Sequence, residues 1–568
     1  MENKEKSYSF LEGTAALMSA TILAKIFGAA FKIPLASLLG GEGMGYYMAA
    51  YSIYGPISAV ALSGMTMSIS KLVAEFQSKR NGYMSKQVLK KAVFIYSVFG
   101  LSASSFLWFF SREITKMLGN SFACVCVMLI APSLLFCSIS AAFRGYYEGK
   151  SNMYPTAFSQ VGESFARLVL GSLLAIWSAR YSIKNPQQII DFIASIVGET
   201  PTFQTATLAF SSSAAILGVT LSTIIGTIYI GLRYIIHDKN KIYCIKRECT
   251  DISKKLIITA IPICACTLIS NIASLIDLAT IVNRLNFAIA KNPVFFLDKY
   301  SYIAKNYSDL VGLPIFLFGA YSGIAMTIFN IIPAFSATIG TTALPTIASS
   351  CKNDCSSRLS EKICGIIKYS AMIAFTGGIG VSVLSEKILL SLFPTRIDEV
   401  TAATDILRVL GIATIAIGIL IPLNSIHQAM GNSFLTLKMM ILASIIKLTL
   451  NYILIAIPKL NVLGAAISTA ISYSIILILE LLILSKNLKW KFNFYECLIK
   501  PLFCSVICGA TAFFFNRLIY NQFPDIIGLT LVLIVSAIIY ITSLLVTGTI
   551  KANIKNKYHL LSNFLKNT

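Results

Sequence analysis

Charge is scarce in this chain. Of its 568 residues only 13% are Asp, Glu, Lys or Arg, against ~25% in an average soluble domain. Acids are the scarcer sign, with 25 Asp and Glu against 47 Lys and Arg. Water cannot be the main solvent of so uncharged a polypeptide. Histidine is rarer still: His237, His427 and His559 have no catalytic partner nearby in sequence, and no connector on the weakly charged side carries an acidic cluster, so an enzyme is poorly supported. The cysteines are scattered through apolar segments and basic connectors, with no pair at zinc-type spacing beside histidines, which argues for reduced thiols and against a metal site or disulfide. Gly145-Tyr146-Tyr147-Glu148-Gly149-Lys150-Ser151 ends like a phosphate-binding loop, but its first glycine is one residue out of place and no strand precedes it, which argues against nucleotide binding.

What is present is apolar length. Hydrophobic residues make up 56% of the chain, and segments long enough to cross a bilayer, ~20 residues each, recur from Leu11 almost to the C-terminus. No gap between them would hold a soluble domain. Bounded by charge, Pro or Gly, the predicted spans are Leu11–Leu38, Gly45–Phe76, Val88–Phe110, Phe122–Phe143, Pro155–Trp177 and Ala206–Ile235. A second set follows: Leu256–Leu285, Leu313–Pro345, Ile366–Leu384, Ile406–Met430, Leu435–Ile457 and Val462–Leu484. Leu498–Phe515 and Ile526–Val546 complete an all-α polytopic membrane protein of about fourteen transmembrane helices. The first segment is too long for the core of a signal peptide and contains Lys25 and Lys32, so it is read as a retained span.

The net charge of +22 does not point to nucleic acid, because the basic residues sit in short alternate connectors, as the positive-inside rule requires. Lys79 to Lys91, Lys239 to Arg247, Lys486 to Lys491 and the tail from Lys551 are therefore assigned to the cytoplasm, with both termini. The two sets of six read as copies of one unit. Tyr51-Ser52 is echoed by Tyr321-Ser322, and Asn152 precedes Arg167-Leu168 by the interval that separates Asn432 from Lys447-Leu448. The expected organisation is an N-lobe over 1–240, a C-lobe over 241–490 and two further helices with a tail over 491–568, the lobes enclosing a central cavity and rocking to alternate access.

Ionisable groups inside such helices cost at least ~2.5–3.5 kcal/mol each on insertion scales, so each is a candidate for lining a cavity or pairing. Lys25 and Lys32 are two turns apart and project from nearly one face of the first helix, so both ammonium groups are expected to enter one space; snorkelling to an interface is the alternative, more so for Lys32. Ser270, Asp277 and Arg284 share the same spacing on the seventh. Asp277 has three candidate roles: an internal ion pair with a neighbouring Lys or Arg, substrate contact, or binding of a coupling Na⁺ or H⁺. Glu163 and Arg167, four apart, are spaced for a local salt bridge that leaves guanidinium donors for phosphate oxygens. Lys71 and Glu75 are spaced for a pair at the cytoplasmic end, and Pro56, Pro132, Pro262 and Pro333 are candidate bends.

Phe143-Arg144-Gly145-Tyr146-Tyr147-Glu148-Gly149, continuing through Asn152 to Ala157, Ser159-Gln160-Val161, Glu163 and Arg167, resembles the stage V sporulation protein B group of polysaccharide transporters. Leu275-Ile276-Asp277, Val282 to Leu285 and Ser63 to Glu75 extend the likeness. That group is similar to the MurJ-type lipid II flippases of the multidrug, oligosaccharidyl-lipid and polysaccharide exporter superfamily. The resemblance implies two six-helix lobes around a cavity, two extra helices, and an undecaprenyl-linked peptidoglycan precursor as substrate. Lys25-Ile26-Phe27-Gly28 resembles the family's basic residue in the first helix and inherits its diphosphate-binding role. Phe31, Tyr46 and Ser58-Ala59 stand where the family has further charges, so the cationic surface is expected from Lys32, Arg144, Arg167 and Arg284, with Glu163, Asp277, Ser270 and Lys71 supporting. Expected partners are the lipid-linked oligosaccharide, membrane lipids and cell-wall synthases. A cation-coupled multidrug and toxin extrusion protein, or a non-transporting scaffold for cell-wall synthesis, are the alternatives.

Overall fold

The computed structural model describes residues 10–79, 81–238, 251–304, 310, 312–340, 347, 356–487, 494–519 and 523–549. Most of the basic connector after His237 and the tail after Thr549 lie outside the described residues, and so do the side chains of residues 10–15 and Ser270. Among the described residues every regular element is helical.

The long helices are α1 (Phe10–Ala59), α2 (Thr66–Ser78), α3 (Gly82–Phe109), α4 (Cys124–Gly149), α5 (Tyr154–Lys184), α6 (Phe203–His237), α7 (Ile252–Asn271) and α8 (Ala273–Lys291). Then come the short α9 (Leu313–Gly319), α10 (Ser356–Val383), α11 (Ile397–Ala429), α12 (Ser433–Leu454), α13 (Leu463–Asn487), α14 (Lys500–Ile519) and α15 (Asp525–Val546). Side-chain caps open α3 and α6. The Asn81 side chain accepts from Met84 N at 3.2 Å and Thr202 Oγ1 from Thr205 N at 3.2 Å, each satisfying an orphan donor of the first turn.

Twelve described stretches are long and apolar enough to cross a membrane, and the pair Leu313–Phe329 and Ile331–Gly340, bent by 42°, adds one more. The first stretch, Ala16–Ser78, has 63 residues, about 95 Å of helix against a ~30 Å hydrocarbon core. It contains two crossings, separated at Gly40, whose φ of 65° and ψ of −171° interrupt the helix in a conformation that only glycine adopts at little cost. Counting it twice gives the expected fourteen among the described residues. Large side chains such as Phe94, Phe109, Phe158, Leu173, Ile258 and Ile534 are exposed, an arrangement suited to lipid rather than water. The seventh predicted span differs from expectation. It is broken at Ile272, whose N–H reaches back only to Ile269 O at 3.3 Å, while the Asn271 side chain turns back to Thr267 O at 2.8 Å.

The chain forms two compact units. The first comprises 1–328, 395–406 and 437–472 and the second 329–394, 407–436 and 473–568. In the first, α2 lies tightly on α4 through Gly145 and Gly149, where a Cβ would come within 2.6 Å of Thr66 O and 2.7 Å of Ser70 O. The phosphate-loop-like stretch is thus a close helix contact of the small-residue kind. Within it Tyr147 donates to Asp238 Oδ2 at 2.9 Å, and Lys150 stands 4.3 Å from the Tyr146 ring centre. The core of the second unit is built from Ile363, Ile367, Leu423, Ile426 and Leu484, and buried Lys387 is tied to Asp525 at 2.6 Å.

Candidate functional site

Two polar clusters occupy the first unit. In one, Glu163 of α5 bridges two arginines, with Oε2 accepting from Arg144 of α4 at 2.9 Å and Oε1 from Arg167, one turn further along α5, at 2.9 Å. Ser159, one turn earlier, accepts from Arg144 at 3.0 Å and donates to Gly226 O of α6 at 3.2 Å. The local Glu163–Arg167 pair is therefore present, but it is half of a three-residue bridge. The Arg144 side chain is 4% exposed and the Arg167 side chain 23%, and each Nε is buried without a hydrogen-bond partner. Glu148 lies within electrostatic reach of Arg144, and Lys32 within that of Arg167. The Lys32 ammonium stands 5.8 Å from the Tyr51 ring centre, a cation–π distance. Tyr51 stacks on Tyr47 at 5.1 Å and meets Tyr54 edge-on at 5.8 Å, so α1 sets a tyrosine ladder beside the cations.

The second cluster is centred on Asp277 of α8, which is buried. Its Oδ2 accepts from Lys447 Nζ of α12 at 2.8 Å and from the Tyr321 hydroxyl at 3.2 Å, and its Oδ1 from Asn451 Nδ2 at 3.0 Å. Asn451 also donates to Thr280 at 2.9 Å and accepts from Ser468 of α13. Of the three roles open to Asp277, the geometry provides the ion pair, and any cation bound there would have to displace the Lys447 ammonium. Residues of the short sequence echoes have parallel surroundings. Arg167 and Lys447 each meet an acid, and the paired tyrosines Tyr51 and Tyr321 stand beside them.

The other sequence candidates lie apart. Lys25 is exposed, and no hydrogen bond or ion pair joins it to the described residues. Arg284 of α8 is half-exposed, its guanidinium 3.9 Å from the Tyr452 ring centre and 4.4 Å from that of Phe287, and its Nε donates to Tyr452 O at 3.2 Å. Ser270 is separated from Asp277 and Arg284 by the break at Ile272. Lys71 is exposed, and Glu75 takes Lys255 at 2.6 Å and Lys79 at 3.8 Å rather than Lys71. Lys255 opens α7 from outside α2, a partner that spacing within α2 could not reveal.

Sequence reasoning did not single out Tyr321, Lys447 and Asn451 as site residues. A signal existed in Lys447 and Asn451, four apart on one face of an apolar helix. It also passed over the residues that hold the Gly40 break. Arg396 donates from Nε to Ser37 O at 2.9 Å and from Nη2 to Leu38 O at 3.0 Å, while Glu399 Oε1 accepts from Gly41 N at 3.0 Å. These bonds satisfy backbone groups that the interrupted helix leaves open, and they wall a cavity of about 380 Å³ with Gly40, Glu42, Gln204 and Asp398.

The chain's fold and sequence have recognisable relatives. Residues 320–546 match the model of the lipid II flippase MurJ family. Stage V sporulation protein B of Bacillus subtilis (strain 168) is 22% identical over 96% of each chain. A solved lipid II flippase MurJ in an inward closed conformation matches with a TM-score of 0.63 at 15% identity, over 94% of this chain and 98% of that one. An inward-facing multidrug resistance MATE family transporter of the MOP superfamily matches with a TM-score of 0.62 at 13% identity, over 84% and 98%. With residues 10–351 matching the model described as polysaccharide biosynthesis protein, this multi-pass membrane chain belongs to the polysaccharide biosynthesis protein family.

Proposed function

We propose that the chain is a flippase that carries an undecaprenyl-diphosphate-linked cell-wall precursor of the lipid II type from the cytoplasmic to the outer face of the bacterial cytoplasmic membrane. The observation that carries this reading is the charge imbalance around Glu163. Arg144 and Arg167 both bind that carboxylate and Lys32 lies within electrostatic reach of Arg167; Arg167 remains part-exposed with an Nε that has no hydrogen-bond partner among the described residues, and the Lys32 ammonium faces the Tyr51 ring. A diphosphate offers the oxygens that a guanidinium fork and an ammonium lack here, while its polyprenyl chain can stay in lipid. Glu163 and Ser159 hold Arg144 and Arg167 in place, and the Asp277–Lys447 network plays the matching structural part in the second repeat. Access alternates as the lobe of 1–240 moves against that of 241–490, with both termini in the cytoplasm. Na⁺ or H⁺ coupling belongs to the same reading.

The MATE-like fold does not by itself favour export of organic cations. Lys32 and Arg167 would repel a cation approaching the tyrosine ladder, although the ladder alone would attract one. The test is flipping of labelled lipid II in proteoliposomes. Lys32→Ala and Arg167→Ala together remove two charge-assisted contacts, each worth ~1.5–3 kcal/mol, so the rate should fall at least about a hundredfold, while Arg284→Ala should leave most of it. Undiminished flipping by the double variant would overturn the assignment.

A further inference from the structure

The second unit holds a carboxylic acid that the transport reading does not use. Glu480 lies deep in α13, within the apolar run Ile475 to Leu484, and is completely buried. Among the described residues no cation reaches it. Its one hydrogen-bonding neighbour there is Asn424 of α11, whose amide nitrogen, when turned toward it, stands 2.9 Å from Oε1 and 3.2 Å from Oε2. One turn along α11, His427 is completely buried with its ring directed at the backbone of Glu480, and no side chain among the described residues hydrogen-bonds either ring nitrogen. Among the described residues the other packed elements bring no ion pair to Glu480. On α10, Glu361 and Lys362 are exposed and Lys368 is beside Cys497; next to α14, Glu496 pairs with Lys500 at 4.0 Å.

A buried carboxylate without a cation is strongly disfavoured, yet this surrounding accommodates either form of the acid. An Asn amide has a donor end and an acceptor end. With its NH₂ toward Glu480 it donates to both oxygens of an ionised carboxylate. Turned by half a rotation, it presents a carbonyl that accepts the O–H of the protonated acid. The buried imidazole against the Glu480 backbone adds a second group able to take or give a proton at the same place. A structural acid needs only one of these arrangements.

We propose that Glu480, Asn424 and His427 form a proton-binding site whose ligand is H⁺ exchanged with the aqueous phase. Its use in coupling rests on the transporter reading above, but proton exchange itself is measured without any transport substrate. The full-length chain in lipid nanodiscs is titrated with pH while infrared difference spectra follow the carboxylic acid C=O stretch in H₂O and D₂O. A band that titrates and shifts in D₂O is expected. Glu480→Gln, which keeps the shape and a hydrogen bond to Asn424, should remove it. Asn424→Leu should keep the band but move its midpoint, a second test should the first variant fail to fold. A titrating band that survives Glu480→Gln, a Glu480 band that neither titrates nor exchanges, or a midpoint indifferent to Asn424→Leu would each overturn the proposal. Failure of lipid II flipping would leave this result standing, and the reverse holds equally.

Discussion

Glu163→Gln tests the bridge at the centre of the candidate site. The change preserves volume and one acceptor oxygen but removes the carboxylate that stands 2.9 Å from both guanidinium groups. Breaking a buried ion pair by deleting one partner costs ~3–5 kcal/mol, because the remaining charge stays desolvated. Arg144 retains the Ser159 hydroxyl at 3.0 Å and the field of Glu148, which places the loss near the lower end. About 3 kcal/mol is a shift of roughly a hundredfold in the folded-to-unfolded ratio. Arg167→Gln removes instead the more exposed arginine, 23% against 4%, and leaves the Arg144–Glu163 pair intact. Its cost should be about 1 kcal/mol, near that of an ordinary surface-accessible pair. Reversible unfolding of the full chain in mixed micelles, followed by circular dichroism, measures both. Should Glu163→Gln prove as stable as the parent, or Arg167→Gln the more damaging of the two, the bridge does not hold these helices as described.

Further outcomes follow from the same reasoning. Asp277→Asn should cost about 3 kcal/mol in the same unfolding assay, because Lys447 loses the carboxylate 2.8 Å away. Asp277→Leu with Lys447→Met should recover most of that loss, since a well-packed apolar pair replaces a buried ionic one at little cost; no recovery would mean that the surrounding Asn451 and Tyr321 bonds dominate. Gly319→Ala should destabilise by the upper part of the ~1–3 kcal/mol range for overpacking, because its Cβ would fall 1.8 Å from Gly41 O and 2.7 Å from Gly45 N, backbone atoms with no rotamer to yield. An unchanged melting temperature would show that α1 and α9 do not meet this closely.

The helices and the positions of most site charges were legible in the sequence because both depend on composition along one segment: twenty apolar residues span a bilayer, and a charge inside such a run needs a reason to be there. Partner choice was not, since it is decided between segments. Asp277 and Lys447 are separated by 170 residues, and nothing local to either names the other. Spacing on one helix misled where the helix was not continuous or a competitor came from elsewhere. Ser270 shares a period with Asp277 but not a helix, and Glu75 binds Lys255 across 180 residues in preference to Lys71 one turn away. Lys25 and Lys32 do project from related faces of α1, yet only Lys32 is far enough along it to meet Tyr51. Of the residues in the short echoes, Arg167 and Lys447 each bind an acid and Tyr321 joins Lys447 on Asp277, whereas Tyr51 lies beside cations and other tyrosines.

Tyr321 stands inside a wide turn, Ala320–Ala325, where the backbone closes its rings one residue later than in an ordinary helix, and Val60–Met65 repeats the feature after α1. Such a surplus residue can be passed along a helix without unwinding it. Expelling it from Ala320–Ala325 would turn the helix on one side of the segment by about 100° relative to the other, and Tyr321, whose phenol rests on Asp277, lies inside the segment that would rearrange. Torsion of one helix and the grip on a buried acid are thus connected through a single hydroxyl.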